Sequence, residues 1–142
     1  MSQFPESFEV TASMSPDSAV TTRTNGVKEL RVSPPESFGG PGGEQTPESL
    51  LVTAVASCYL LTFKAVARAS QLAWRDISVA VTGTLDRVER QTLFTRFQIR
   101  VELDIVDAKD ADKARRAAEK SEQNCFVTNS LKSEVHLELV IR

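Results

Sequence analysis

The sequence predicts an α+β protein with elements in the order βββ-α-ββ-α-β. Three features lead there: short alternating segments before residue 33, an almost wholly apolar helical run from Leu50 to Val66, and a long period-2 pattern from Ile77 to Ile105. At 142 residues the chain fits a single domain, residues 1–142, with one core.

The elements follow in order. Phe8, Val10 and Ala12 alternate with polar residues, and Ala19 to Thr24 is rich in β-formers. Thr24-Asn25-Gly26 carries the Asn-Gly hairpin signal, after which Leu30 and Val32 alternate with Glu29 and Arg31. A small antiparallel N-terminal sheet is expected. The segment Pro34 to Pro47, PPESFGGPGGEQTP, reads as a loop. Thr46 then suits a helix N-cap, Pro47 the first helical position, and Glu48 the positive end of the helix dipole.

From Leu50 the apolar residues Leu50, Leu51, Val52, Val55, Leu60, Leu61, Phe63 and Val66 cover nearly every face of this helix, which is expected to end near Ala69 or Ser70. One small domain wraps such a helix with difficulty, so a partner subunit is expected. A hairpin follows. Ile77, Val79, Val81 and Leu85 share one face, a polar turn spans Asp86 to Gln91, and Phe97, Ile99, Val101, Leu103 and Ile105 face the core from the second strand. A charged amphipathic helix from about Asp110 to Gln123 is expected to break at Asn124 or Asn129. Val135, Leu137, Leu139 and Ile141 form the last strand.

Composition narrows the function. A net charge of -2 with no basic tract gives no electrostatic case for nucleic acid. Met1 to Val10 has neither the basic start nor the apolar centre of a signal peptide. The uncharged run Leu50 to Phe63 is 14 residues long, too short for a bilayer of ~30 Å, so no membrane partner and a cytoplasmic location are expected.

Chemistry rests on two cysteines. Cys58 lies in the apolar helix and Cys125 just past the second helix. They are too few for a closed zinc site, and the only histidine, His136, sits in an alternating strand, so no metal and no cofactor are expected. The pair is either two buried hydrophobes or a nucleophile with a resolving partner. Glu48 and Cys58 are ten residues apart on one helix, about 15 Å by helical rise. If they share a site, two antiparallel copies of the helix must bring Glu48 of one towards Cys58 of the other. The GGPGG loop lacks the following Lys-Ser/Thr of a phosphate cradle and reads as a flexible pocket wall. Tyr59 and Phe63 read as core or pocket lining, and Lys113 to Arg116 as a solvated helix face.

The stretches FGGPGGEQTPESLLVTAVASCY and AEKSEQNCFVTNSL resemble the glycine loop, Pro-Glu helix start and two cysteine motifs of the OsmC/Ohr family of thiol-dependent hydroperoxide reductases. The resemblance runs from about residue 8 to the end of the chain. It implies an intertwined homodimer whose sheets enclose long central helices. It further implies Cys58 as peroxidatic thiol, Cys125 as resolving thiol joined to it by an intramolecular disulfide, and Glu48 as the orienting carboxylate. The implied substrates are a hydroperoxide and a dithiol reductant, lipoyl groups among them. An activating arginine is also implied, yet Val32 to Pro47 holds no basic residue and neither does Met1 to Thr22, leaving Arg23 and Arg31 as the nearest candidates. A one-charge neighbour can move a thiol pKa by about 1–3 units. A non-enzymatic small-molecule binder on the same fold is the alternative.

Overall fold

The computed structural model describes residues 3–142; the first two residues, part of the stretch read above for a signal peptide, lie outside the described ones. The architecture is mixed α+β with two three-stranded sheets. The order is β1 (Thr11–Ser13), β2 (Val20–Arg23), β3 (Leu30–Val32), α1 (Pro47–Ala69), β4 (Trp74–Val88), β5 (Gln91–Ile105), α2 (Ala111–Gln123), α3 (Phe126–Asn129) and β6 (Glu134–Ile141). The expected order holds, with the four-residue α3 added between α2 and β6. The chain divides into two compact units, one up to Leu51 and one from Val52 to Arg142.

In the first unit β1, β2 and β3 form an antiparallel sheet. The Asn-Gly turn closes as expected: the Val27 N–H donates to the Thr24 carbonyl at 3.0 Å, and Gly26 takes φ 75°. The first strand is shorter than its alternation suggested, because Phe8 and Val10 lie outside it and are exposed. The glycine loop is closely folded against the prolines. A side chain at Gly40 would collide with the Pro34 carbonyl oxygen, so only glycine fits there. The Ser33 N–H donates to the Gln45 carbonyl at 2.9 Å and ties β3 to the approach of α1.

Helix α1 begins as its cap residues require. The Ser49 N–H donates to Thr46 Oγ1 and the Thr46 N–H donates to Ser49 Oγ, each at 2.9 Å, a reciprocal cap with serine in the third position. The helix is 23 residues long, about 34 Å by its rise. By length and composition alone α1 is long and apolar enough to cross a membrane, a test that the core helix of a soluble protein also passes. The earlier count stopped at Lys64, whereas the helix continues through it to Ala69.

In the second unit β4, β5 and β6 form a sheet whose inner face packs on α1 and α2. Val55, Tyr59, Phe63, Val66 and Ala67 make the buried stripe of α1. They meet Phe97, Ile99, Val101, Leu103 and Ile105 of β5 and Ala114, Ala117 and Ala118 of α2 in the core. Phe63 stands edge-on to Trp74 at 5.5 Å between ring centres, and the Tyr59 hydroxyl donates to the Ala118 carbonyl at 3.0 Å. Burial, reinforced by the Glu122 charge, pushes the Tyr59 phenol well above its ordinary range, so it remains a donor. The rest of α1 is less covered; Leu61 is 68% exposed.

Strands β4 and β5 pair antiparallel from Trp74↔Ile105 to Val88↔Gln91. The turn is tighter than the polar stretch suggested: Glu89 and Arg90 alone make it, with φ of 48° and 70°. Strand β6 runs parallel to β5, Arg96↔Glu134 through Leu103↔Ile141, with α2 and α3 in the crossover. Asn124 caps the end of α2.

Candidate functional site

The fold brings together two thiols that are 67 positions apart. Cys58 is half-buried on α1, one turn before Thr62, with 4.0 Å between Sγ and the Thr62 Oγ1. Cys125 is fully buried and stands at the N-cap of α3 in an extended conformation (φ −71°, ψ 115°). Both are free thiols.

Their environments pull them apart. Burial pushes the Cys58 thiol up, but the backbone N–H of Val127, the Cys125 thiol, the Thr62 hydroxyl and the backbone N–H of Phe126 act the other way and hold it below the ordinary thiol range. Burial pushes the Cys125 thiol up; the Thr128 N–H and hydroxyl oppose this, while the Cys58 sulfur and its charge reinforce it, leaving Cys125 above the ordinary range. The two thiols are thus shifted in opposite directions. The groups that lower the Cys58 pKa are neutral donors.

Each of the two arginine candidates has a carboxylate partner. Arg23 pairs with Glu29 at 2.7 Å, and Arg31 pairs with Glu44 at 2.6 Å. The Glu44 contact raises the Arg31 pKa, and Arg31 followed by the Ser33 hydroxyl holds the Glu44 carboxyl below its ordinary range. Both pairs lie within the first unit.

Glu48 stands in the first turn of α1, in the first unit. Its Oε1 is shielded from solvent and has no hydrogen-bond partner among the described residues. It lines a cavity of 370 Å³ whose walls include Met14, Val20, Val32, Pro34 and Phe38. From the loop, Pro34, Pro35 and Phe38 line this cavity, while Gly43 lines a second one with Glu44 and Gln45. His136 is half-exposed on β6 beside Glu134, 3.4 Å away, as its strand position suggested. Among the described residues no group of three or more His, Cys, Asp or Glu side chains could hold a metal ion.

Sequence reasoning passed over Thr62 and the α3 backbone. Thr62 had a visible signal, since a hydroxyl four residues after a cysteine shares its helix face. The Val127 and Phe126 N–H groups had none, because a backbone donor leaves no trace in residue identity.

The OsmC-like protein family model matches residues 40–140, a span that includes both cysteines and Glu48. The chain belongs to the OsmC-like family. The Bacillus subtilis protein YmaD is similar to this OsmC-like chain, 26% identical over 113 residues that cover 76% of the chain and 74% of YmaD. Among solved structures, the OsmC-like protein VCA0330 of Vibrio cholerae superposes with a TM-score of 0.85 at 18% identity, covering 95% of this chain and 99% of that one. An organic hydroperoxide resistance protein from Elizabethkingia anophelis gives 0.79 at 17% identity, covering 99% and 98%. These likenesses establish the shared fold.

Proposed function

We propose that this OsmC-like protein reduces organic hydroperoxides through Cys58 and Cys125. The observation that carries the reading is the opposed tuning of two adjacent free thiols. Several solved relatives of the same fold are named organic hydroperoxide resistance proteins, in keeping with it.

The Cys58 thiolate attacks the distal oxygen of ROOH, the O–O bond breaks, and the alkoxide takes a proton to leave as ROH. Cys58 is then a sulfenic acid, uncharged. The negative sulfur that had helped keep Cys125 protonated is gone, so Cys125 ionises more readily as its attack becomes useful. It attacks the sulfenic sulfur, an S–S bond forms within the chain, and water leaves. The two thiols have given two electrons to the peroxide. A dithiol, lipoyl-type among the candidates, returns them by exchange in the cytoplasm.

The working unit in this reading is a homodimer. Leu61 is exposed on α1 in the single chain, and a second copy packed there would cover apolar surface. That copy would also supply Glu48 to orient the peroxide at Cys58, since one helix cannot fold back on itself. A Cys58→Ser protein tests the reading: peroxide consumption with a dithiol is expected to fall to the rate without protein. Undiminished consumption would end it.

A further inference from the structure

Asparagine is a thermolabile side chain, open to attack on its amide carbon by the backbone nitrogen of the next residue. The attack needs an N–H free of other bonds and is easiest where no Cβ crowds it. The chain holds three asparagines, Asn25, Asn124 and Asn129, and all three are exposed, so exposure does not separate them. Their following N–H groups do. After Asn129 the Ser130 N–H donates to the Val127 carbonyl at 3.1 Å, and the Asn129 amide itself donates to the Gln123 carbonyl at 3.1 Å. After Asn124 the Cys125 N–H is directed at the Glu122 carbonyl, 3.4 Å away, and Cys125 is fully buried. After Asn25 comes Gly26. The turn is closed by the Val27 N–H, and the Gly26 N–H has no acceptor among the described residues. The space a Gly26 Cβ would enter is empty as well. This turn stands off from Glu48. Val20 and Val32 pair beside the Glu48 cavity, and Asn25 lies five residues beyond Val20, about 16 Å of extended chain.

We infer that Asn25-Gly26 is a self-modification site at which Asn25 converts to isoaspartate. The Gly26 nitrogen gives its proton to water and bonds to the Asn25 Cγ. The Cγ–N bond of the side-chain amide breaks, ammonia leaves, and a cyclic imide remains. Water then opens the imide at either carbonyl, giving aspartate on one side and isoaspartate on the other. No electrons change hands, and water is the only co-reactant. Isoaspartate carries the main chain through Cγ, which lengthens the turn between β2 and β3 by one carbon. Either product puts a new carboxylate where Asn25 and Arg23 line one cavity. There it competes with Glu29, which holds Arg23 Nε at 2.7 Å. The site is independent of the peroxide reading, which rests on the two thiols.

The test is timed incubation of the full chain in neutral and mildly alkaline buffer, followed by peptide mapping that separates asparagine, aspartate and isoaspartate at each position. Asn25 is expected to convert at least about tenfold faster than Asn124 or Asn129, faster in the alkaline buffer, with isoaspartate among its products. The same incubation in urea is expected to speed Asn129 far more than Asn25, because unfolding frees the Ser130 N–H while that of Gly26 is free already. Asn25→Gln is expected to leave the peptide unchanged over the same period. Three outcomes overturn the site: Asn25 no faster than Asn129 in the native protein, aspartate at position 25 with no isoaspartate, or an Asn25 rate that rises on unfolding as much as that of Asn129. The last would show that the native turn, or a second copy resting on it, holds the Gly26 N–H. The measurements on the natural chain need no variant to fold.

Discussion

Cys58 and Cys125 act on each other's ionisation in opposite senses: the Cys125 thiol helps to lower the Cys58 pKa, and the Cys58 sulfur helps to raise that of Cys125. Within the pair, ionisation is thereby favoured at the half-buried sulfur over the fully buried one.

The asymmetry has a pH signature. A thiolate is the reactive form, and hydrogen bonds donated to it favour it, so Cys58 alkylation by iodoacetamide is expected to rise with a midpoint below that of a free thiol. Cys125 is expected to titrate above it. Thr62→Val removes one donor and moves the Cys58 midpoint upward while leaving the fold intact. A midpoint unchanged by Thr62→Val would show that the 4.0 Å contact has no part in thiol activation.

Gly83 lets α1 approach the sheet. A Cβ there would lie 2.9 Å from the Phe97 ring and 3.0 Å from Val52. Gly83→Ala is therefore expected to destabilise the protein by about 1–3 kcal/mol through overpacking, measured by urea unfolding. A neutral or stabilising effect would mean that Phe97 and Val52 move apart at little cost.

Association of two chains through the uncovered face of α1 is part of the proposal and can be tested there. Leu61→Lys places a charge on that face at a position 68% exposed in the single chain. Sedimentation is expected to show a dimer for the natural protein and a shift towards monomer for Leu61→Lys. A monomer in both would remove the proposal that Glu48 reaches Cys58 from a second copy.

Much of this was legible in advance, for identifiable reasons. Asn25-Gly26 announces its turn because few other residue pairs tolerate positive φ, and Thr46-Pro47 announces a helix start by its chemistry. The Glu89–Arg90 turn was hidden because neither residue type favours the conformation it adopts. The parallel direction of β6 was hidden too, since alternation records which face is buried and not which way the strand runs. At the site, the cysteines could be named but not their tuning. It comes from backbone N–H groups at Phe126 and Val127, brought to Cys58 by the fold. The arginines could be named as candidates, and their partners Glu29 and Glu44 decide that they are occupied.

The most direct measurement is a count of free thiols before and after one equivalent of cumene hydroperoxide, with peptide mapping of the product. Two free thiols are expected to fall to none, with a single disulfide joining Cys58 to Cys125 and cumyl alcohol released in equal amount. Two thiols still free after the peroxide, or a loss of Cys125 alone, would contradict the account.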